Sequence, residues 1–460
     1  MKLLDYIPGF LLPQLPIRLL GNISGEGPRV AVIGAGAAGS SAAFHLSQLT
    51  ENADITVFEK NNYIGGRVDH VEIEGKVLEL GASIFVDANH ILRDSAKMFN
   101  LTVVTKEEDK GLEDDKLLGV YNGHAMVFEL EWPDHFWKKL TIQMARKFGV
   151  LSPYRANRLK SKAVNRFMKI YSDLYFPWSN LDFVVDAVGL REYVNLTAEE
   201  WFSERSVSRQ YQEDFLQGLT RVNYANNLDK IHSLAAAVCL GAENGTRSIE
   251  GGNRQIFEEM CKRSNANVHL NREVRTIAKH GRKWLVDKEP FDYVILAVPW
   301  QFSGINIEPS VGVAIPDTEY VKLHVHYVLT KEPISGNKTS FSMLLTTVTP
   351  PLAPPKFNSL SHVSRTEAGN HIYKLFTREE MTNDELSEIL NGASILHNQH
   401  RVWYSYPEMK PVDSFAPVEL ASNLYYTSGM DPFISTMETN ALSGKNVAHL
   451  IANSIESNSK

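Results

Sequence analysis

Three glycines near the start of the chain have the spacing of a nucleotide phosphate site. The segment reads Gly34-Ala35-Gly36-Ala37-Ala38-Gly39 and follows Pro28–Ile33, an apolar, β-branched run typical of a buried parallel strand. Gly34 permits a tight turn, Gly36 lets the backbone approach a pyrophosphate, and Gly39 lets a helix pack closely on the strand. A helix beginning near Ser40 would direct its free N–H groups at the phosphates. The pattern therefore predicts a dinucleotide site.

An acidic residue stands where such a site needs a partner for ribose. A second apolar strand is predicted at Ile55–Phe58, and Glu59 and Lys60 come directly after it. Strand, glycine turn, helix and second strand together have the length of one βαβ unit. Glu59 can therefore accept hydrogen bonds from the ribose hydroxyls. The cofactor contacts predicted in this unit are Gly34, Ala35, Gly36, Ala38, Gly39, Glu59 and Lys60.

Two further segments indicate a large, flat cofactor. They are Ile64–Val68, which contains paired glycines and an arginine, and Leu78–Ser83, which ends on three small residues. Small residues let the backbone lie against a flat ring system, and the guanidinium of Arg67 offers a charge-assisted fork to a diphosphate. The contacts predicted here are Gly66, Arg67, Gly81, Ala82 and Ser83.

These two segments resemble the second and third FAD contacts of the amine-oxidase-like flavoproteins. Thr427–Asp431 resembles the last FAD segment of that superfamily, and Tyr293–Pro299 resembles its middle strand. The resemblance implies that Asp431 meets the ribityl chain, that Gly429 leads into a helix directed at the phosphate, and that the backbone of Val274 touches adenine. FAD is thus the implied cofactor. We expect it to be bound noncovalently, because neither Cys239 nor Cys261 stands where a covalent flavin link is usual.

The length and composition indicate two interleaved domains in an α/β protein. A chain of 460 residues is too long for one ordinary core. The nucleotide segments lie at both ends, which predicts a discontinuous Rossmann-type FAD-binding domain at 28–125, 215–300 and 415–460. The remaining residues, 126–214 and 301–414, are assigned to an inserted mixed α+β substrate domain. The net charge of −7 argues against nucleic-acid binding.

Several other motifs narrow the resemblance to one family. They occur in the order expected for the prenylcysteine oxidase (prenylcysteine lyase) family, and the match extends from about Pro28 to Asn453. The family reaction, as the resemblance implies, uses molecular oxygen to convert farnesyl- or geranylgeranyl-cysteine to cysteine, prenyl aldehyde and hydrogen peroxide. The motifs are Gly119–Gly123, Arg221–Tyr224, Ser248–Arg254, Trp403–Pro407 and Lys410–Pro411.

A zwitterionic amino acid with a long apolar tail needs a polar clamp and an apolar tunnel. We hypothesise that Arg221 holds the carboxylate, with Asn223 and Tyr224 near the flavin; alternatively, the three residues only stabilise a buried turn. The chain departs from the family at Ile84–Asn89, where a His-Pro pair is common, and this puts the exact substrate in doubt. A biosynthetic FAD oxidase acting on another prenylated or amine-bearing metabolite, and a flavin-binding scaffold without turnover, stay open as alternatives.

Two segments bear on membrane contact. Residues 1–27 are interrupted by prolines and charges, so they are a poor signal-peptide core and are predicted to be an arm or an interfacial segment. The family resemblance implies a secretory, lysosomal or vacuolar location. Residues 137–172 carry ten Lys or Arg and no Asp or Glu, and we predict helices there. These helices either present a solvated face or contact an anionic membrane surface.

Overall fold

The protein is described by a computed structural model that covers residues 27–105, 117–131, 136–241, 245–312, 315–334 and 341–458. The N-terminal arm predicted at 1–27 lies almost wholly outside these residues. The described strands are β1 Arg29–Ile33, β2 Asp54–Phe58, β3 His70–Ile73, β4 Lys76–Glu79, β5 Val103–Thr105, β6 Leu117–Tyr121, β7 Met126–Glu131, β8 Arg247–Ile249, β9 Asn267–His269, β10 Thr276–His280, β11 Lys283–Val286, β12 Glu289–Phe291, β13 Tyr293–Leu296, β14 Asn306–Glu308, β15 Tyr320–Thr330, β16 Phe341–Thr346, β17 Ser359–Arg365, β18 His371–Thr377, β19 Ile395–Pro407, β20 Glu419–Ala421 and β21 Leu424–Tyr426.

The helices lie mainly in two groups, one beside the nucleotide segments and one between β7 and β8. They are α1 Ala37–Leu49, α2 His90–Met98, α3 Phe136–Phe148, α4 Leu151–Phe167, α5 Leu181–Ala187, α6 Arg191–Val194, α7 Ala198–Glu204, α8 Arg209–Tyr211, α9 Gln217–Tyr224, α10 Ser233–Gly241, α11 Arg254–Arg263, α12 Asn383–Ile389 and α13 Met437–Asn458. In the part of the chain that the structure describes, no helix is both long and apolar enough to cross a membrane.

A six-stranded sheet forms the first layer, in the order β20-β21-β13-β1-β2-β9, with every pair parallel except β20–β21. Both faces are covered, which explains why β1 is apolar at consecutive positions. Val30 and Val32 pack into the core that contains the helices, whereas Ala31 and Ile33 pack against the second sheet, β12-β11-β10-β14. The structure therefore confirms the predicted α/β class with a parallel nucleotide-binding sheet.

Helix α1 packs against α13 and α11 on one side of this sheet. The contact with α13 depends on Gly444, because a Cβ there would lie 2.0 Å from the Ala38 carbonyl oxygen. Gly39 is required for the same reason, since its Cβ would lie 1.8 Å from the carbonyl oxygen of Gly34. The first and last described helices are therefore held together directly, as the separated nucleotide segments require.

A seven-stranded sheet, ordered β19-β15-β18-β17-β16-β6-β7, forms the other large layer. Its pairs are antiparallel except β16–β6. The sequence-based boundary at residue 125 needs a correction here, because β6 is hydrogen-bonded to β16 and so belongs to this sheet rather than to the nucleotide-binding one. Helices α3 and α4 confirm that the basic stretch is helical.

Candidate active site

One large cavity begins at the carboxyl ends of β1 and β2 and continues between the helices and the seven-stranded sheet. Its volume is about 2750 Å³, well above the roughly 300–1,000 Å³ of ordinary small-molecule sites. Most of the predicted site residues line it together, although they come from distant parts of the chain. These residues are Gly34, Gly36, Ala38, Glu59, Lys60, Gly66, Arg67, Gly81, Ala82, Ser83, Asn223, Tyr224 and Val274.

The glycine turn is shaped for a group that approaches the backbone. Gly34 has φ +101°, a left-handed conformation that glycine adopts without strain. The Gly65 N–H donates to the Ala35 carbonyl oxygen at 2.9 Å, which holds the segment Ile64–Val68 against the turn. A Cβ on Gly36 would meet nothing closer than 3.9 Å and would occupy cavity space instead. Ala35 and Gly39 are buried and do not appear among the described lining residues; they shape the turn from behind.

Glu59 fixes the end of the second strand beside this turn. One carboxylate oxygen accepts from the Ala35 N–H at 2.8 Å, and the other accepts from the backbone N–H and the side-chain amide of Asn61 at 2.8 and 2.7 Å. The residue is only 4% exposed, yet it lines the cavity. Its position next to the glycine turn is the one from which a carboxylate reaches a ribose.

Arg67 lines the cavity, but its guanidinium forms an ion pair with a protein carboxylate. Nη2 lies 2.9 Å from Asp431 Oδ2, and Nη1 donates to the Ser405 carbonyl oxygen at 3.0 Å. Asp431 also accepts from Tyr320, Ser435 and Asn440 at 2.7–2.9 Å. Burial raises the pKa of Asp431, but the Arg67 charge and these hydrogen bonds outweigh burial and lower it.

The contacts predicted for Arg67 and for the last FAD segment stay predictions, and the structure gives their present surroundings. Asp431 is fully buried behind Arg67, and neither it nor Gly429 appears among the described residues that line the cavity. Their neighbour Ser428 does line it, as do Ser435 and Thr436 just before α13. The segment thus reaches the cavity through the start of α13, while the Arg67–Asp431 pair braces the wall.

Arg221 bonds to protein groups rather than facing the cavity. Its guanidinium donates to Thr346 Oγ1 and Asn227 Oδ1 at 2.9 Å each and to the Phe357 carbonyl oxygen at 3.3 Å. Among the described residues that line the cavity, Asn223 and Tyr224 are present but Arg221 is not. Burial, with a smaller effect of the Arg378 charge, lowers the pKa of Arg221 to about 10. The guanidinium is directed into the protein, toward β16, as the alternative of a buried structural role requires.

Tyr224 belongs to an aromatic group that the sequence analysis identified only in part. Its ring makes an edge contact with Tyr406 at 5.2 Å, and its hydroxyl donates to the Ser435 carbonyl oxygen at 3.3 Å. Trp403 lies against the segment Leu78–Ser83, because a Cβ on Gly81 would come within 2.7 Å of the indole. Trp403 and Tyr406 both line the cavity. Both fall in a motif that was used for recognition but was given no role in the site.

A lysine in the cavity wall was missed altogether. The Lys374 ammonium, on β18, donates to the Glu79 carbonyl oxygen and, at 3.0 Å, to Ser83 Oγ. These bonds fix the segment Leu78–Ser83 against β18. It also lies 4.8 Å from the ring centroid of Phe376. The alternation of β18 places Lys374 on the cavity side, and a cation within an otherwise apolar strand was the available sequence signal.

Beyond the glycine segments the cavity becomes apolar. Its walls there come from α4, α9, β7 and β16, and the cavity reaches solvent beside α4, where Asn157 and Ser161 both line it and are exposed. We call this part of the cavity the apolar limb. It joins the nucleotide end without interruption, so two ligands can meet within it. Representative side chains of the limb are Leu130, Val164, Phe167, Phe215, Leu219 and Met343.

Comparison with known families agrees with this geometry. The profile of the prenylcysteine lyase family matches residues 133–460, and that of an NAD(P)-binding Rossmann-like domain matches residues 32–99. The chain belongs to the prenylcysteine lyase family. The recognition made from the sequence motifs is thereby confirmed, as is the predicted class of enzyme, an oxidoreductase.

Curated relatives match over most of their length. Farnesylcysteine lyase of Arabidopsis thaliana is 27% identical over 94% of this chain and 89% of its own, and prenylcysteine oxidase 1 of Homo sapiens is 24% identical over 92% and 88%. Among solved structures, cyclohexylamine oxidase from Brevibacterium oxydans (15% identity, TM-score 0.62) and a fatty acid isomerase from P. acnes (13%, TM-score 0.65) each align over 93% of this chain and 99% of theirs. These structures confirm the predicted fold.

Proposed function

We propose that this member of the prenylcysteine lyase family is an FAD-dependent thioether oxidase that cleaves farnesyl- or geranylgeranyl-cysteine. The observation that carries the proposal is one continuous cavity with a nucleotide turn at one end and a long apolar limb at the other. The names of the curated relatives supply the substrate class. In the balanced reaction, prenylcysteine, water and oxygen give prenyl aldehyde, cysteine and hydrogen peroxide.

We propose noncovalent FAD, with the adenosine part near Glu59, Lys60 and Val274 and the flavin toward Ser83 and Tyr224. Support comes from the open space above Gly36 and from the state of the cysteines: among the described residues Cys239 lines the cavity, but its burial disfavours the reactive thiolate. Cys239 and Cys261 are both buried, and burial raises their thiol pKa values to well above neutrality. When bound, FAD supplies the hydride acceptor for the carbon beside sulfur, and oxygen regenerates it.

The protein's own part in this reaction is to bind the substrate, to orient it and to exclude side reactions. The apolar limb takes up the prenyl tail, which leaves the thioether carbon at the end nearest Ser83 and Tyr224. Hydride loss there leaves a cation stabilised by sulfur and by the allylic double bond, so the chain needs no strong base at this step. Asn223 and Tyr224 line the cavity where positioning of the reacting atoms is required, and such positioning is the main contribution expected of them.

We also propose that the turn between α3 and α4 contacts anionic lipid, where a prenylated substrate concentrates. Val150, Leu151 and Tyr154 are 68, 61 and 60% exposed, although they are apolar or aromatic. The exposed bases Arg158 and Lys162 follow on the same helix. Apolar side chains beside basic ones are typical of interfacial binding, and the cavity opens along this same helix.

An anaerobic half-reaction tests the main proposal. Farnesylcysteine mixed with the purified, oxygen-free flavoprotein should bleach the flavin in one phase, and air should restore its colour. Under turnover, thiol, aldehyde and hydrogen peroxide should form in equal amounts. Farnesol serves as the control, because it has the apolar tail without the thioether.

Two other functions predict different results. A biosynthetic oxidase of another prenylated or amine-bearing metabolite would bind FAD but stay oxidised with farnesylcysteine and become reduced with its own substrate. A flavin-binding scaffold would stay oxidised with every candidate. Failure of farnesylcysteine to reduce the bound flavin at saturating concentration would therefore exclude the proposed reaction.

A further inference from the structure

Three histidines lie together on the side of the seven-stranded sheet that faces away from the flavin cavity. His324 and His326 are on β15, and His400 is on the neighbouring edge strand β19, directly opposite His326. His324 and His326 are 4% and 1% exposed, and His400 is half-buried. Because side chains alternate along a strand, their neighbours Leu323 and Tyr327 line the cavity instead. We call these three residues the histidine cluster.

The spacing of the histidine cluster suits a single metal ion. Each ring offers one nitrogen, and the three nitrogens all lie within 4.8 Å of one another. His324 Nδ1 and His400 Nε2 are 3.0 Å apart. Two imidazole nitrogens bound to one tetrahedral zinc at ~2.0–2.1 Å stand about 3.3 Å apart, so this pair needs almost no movement.

His326 gives an independent indication of a ligand. Its Nδ1 lies 3.2 Å from Asn398 Oδ1, an oxygen that can only accept, so Nδ1 carries the proton and Nε2 carries the lone pair. This Nε2 is buried and has no hydrogen-bond partner in the described part of the chain. A neutral imidazole held in one tautomer by an acceptor is the form that binds metals.

We propose that His324, His326 and His400 bind one divalent transition-metal ion of borderline softness, with Zn²⁺ the best match to three imidazoles. The rings of His326 and His400 are stacked at 4.1 Å and 3°, and a metal lies in the plane of each ring it binds. One ring therefore rotates about its Cβ–Cγ bond when the ion binds, a soft torsion for histidine. The ion would tie the edge strand β19, which carries Trp403 into the cavity, to β15.

Metal titration of the FAD-loaded, tag-free protein tests this site. After treatment with chelator, wild type should take up one Zn²⁺ per chain, measured by calorimetry and elemental analysis, and its melting temperature should rise with Zn²⁺. Co²⁺ should give the visible absorption of a tetrahedral site, beyond the flavin bands. Asn398→Ala should weaken Zn²⁺ binding about 10–100-fold, because it removes the acceptor that orients His326.

The controls separate the cluster from adventitious histidine binding and from misfolding. His326→Ala and His400→Ala should each lose the stoichiometric Zn²⁺ and the Co²⁺ spectrum, whereas His397→Ala, an exposed histidine on the same strand, should keep both. Flavin content and circular dichroism show whether each variant is folded, and His400, being half-buried, is the safer substitution. Absence of stoichiometric binding in wild type, or equal binding by the His400 and His397 variants, would overturn the proposal.

Discussion

Replacement of Arg221 by alanine distinguishes a structural arginine from a substrate clamp. The structure gives its guanidinium three uncharged partners: Thr346, Asn227 and the Phe357 carbonyl oxygen. Hydrogen bonds to a charged group contribute ~1.5–3 kcal/mol each. The Phe357 oxygen keeps a second donor, Thr346, so two bonds are lost without replacement, and relief of the buried charge offsets part of that loss. We expect Arg221→Ala to lower the free energy of unfolding by about 2–4 kcal/mol.

Urea unfolding measures that loss of stability. Comparison of two substrates tests whether Arg221 binds the substrate carboxylate. KM for farnesylcysteine and for its methyl ester should change by the same factor in the variant, because the carboxylate does not meet Arg221. Arg378→Ala is the matched control, since the Arg378 side chain is 43% exposed and paired with Glu408; it should cost much less. A variant of normal stability whose KM rises only for the free acid would refute this account and restore Arg221 as the clamp.

Three further variants test the cofactor end and the lipid contact. Gly36→Val should fold but contain no FAD, because its Cβ enters cavity space and would lie no closer than 3.9 Å to the protein atoms of the described residues beyond its chain neighbours; flavin released on denaturation measures this. Glu59→Ala should weaken FAD binding by on the order of 1–3 kcal/mol in a fluorescence titration, the cost of unpaired buried partners. Leu151→Asp should reduce sedimentation with phosphatidylserine vesicles, whereas Phe183→Asp, equally exposed on α5, should not. An unchanged result for any one of them contradicts the role assigned to that residue.

The nucleotide-binding end of the cavity could be predicted because the residues that form it are close together in the sequence. The strand, the glycine turn and Glu59 lie within about thirty residues, and each residue type is dictated by close backbone packing or by ribose. The structure places all of them at one end of the cavity. The seven-stranded sheet could not be derived in this way, since β6 pairs with β16 more than 200 residues later and no local pattern encodes such a partner.

The direction of the Arg221 side chain could not be derived for a similar reason. Arg221 and Asn223 both lie on α9, and sequence alone places them on different faces of a helix without showing which face meets the cavity. That choice is made by β16, which packs against α9 and supplies Thr346 to the guanidinium. A buried arginine beside a flavin site is therefore weak evidence of a substrate clamp until the covering strand is known.

Under the proposed function, the shape of the cavity also fixes the direction of the substrate. The apolar limb reaches solvent beside α4, and the exposed apolar turn before α4 is the proposed lipid contact. A tail drawn from a membrane at that opening would fill the limb, and the polar amino acid end must then lie toward Ser83 and Lys374. There the Lys374 ammonium donates to the Glu79 carbonyl oxygen and, at 3.0 Å, to Ser83 Oγ. Under the proposed function, the cation near the amino acid end of the substrate therefore belongs to β18, on the wall opposite α9, and it is already bonded to the segment Leu78–Ser83.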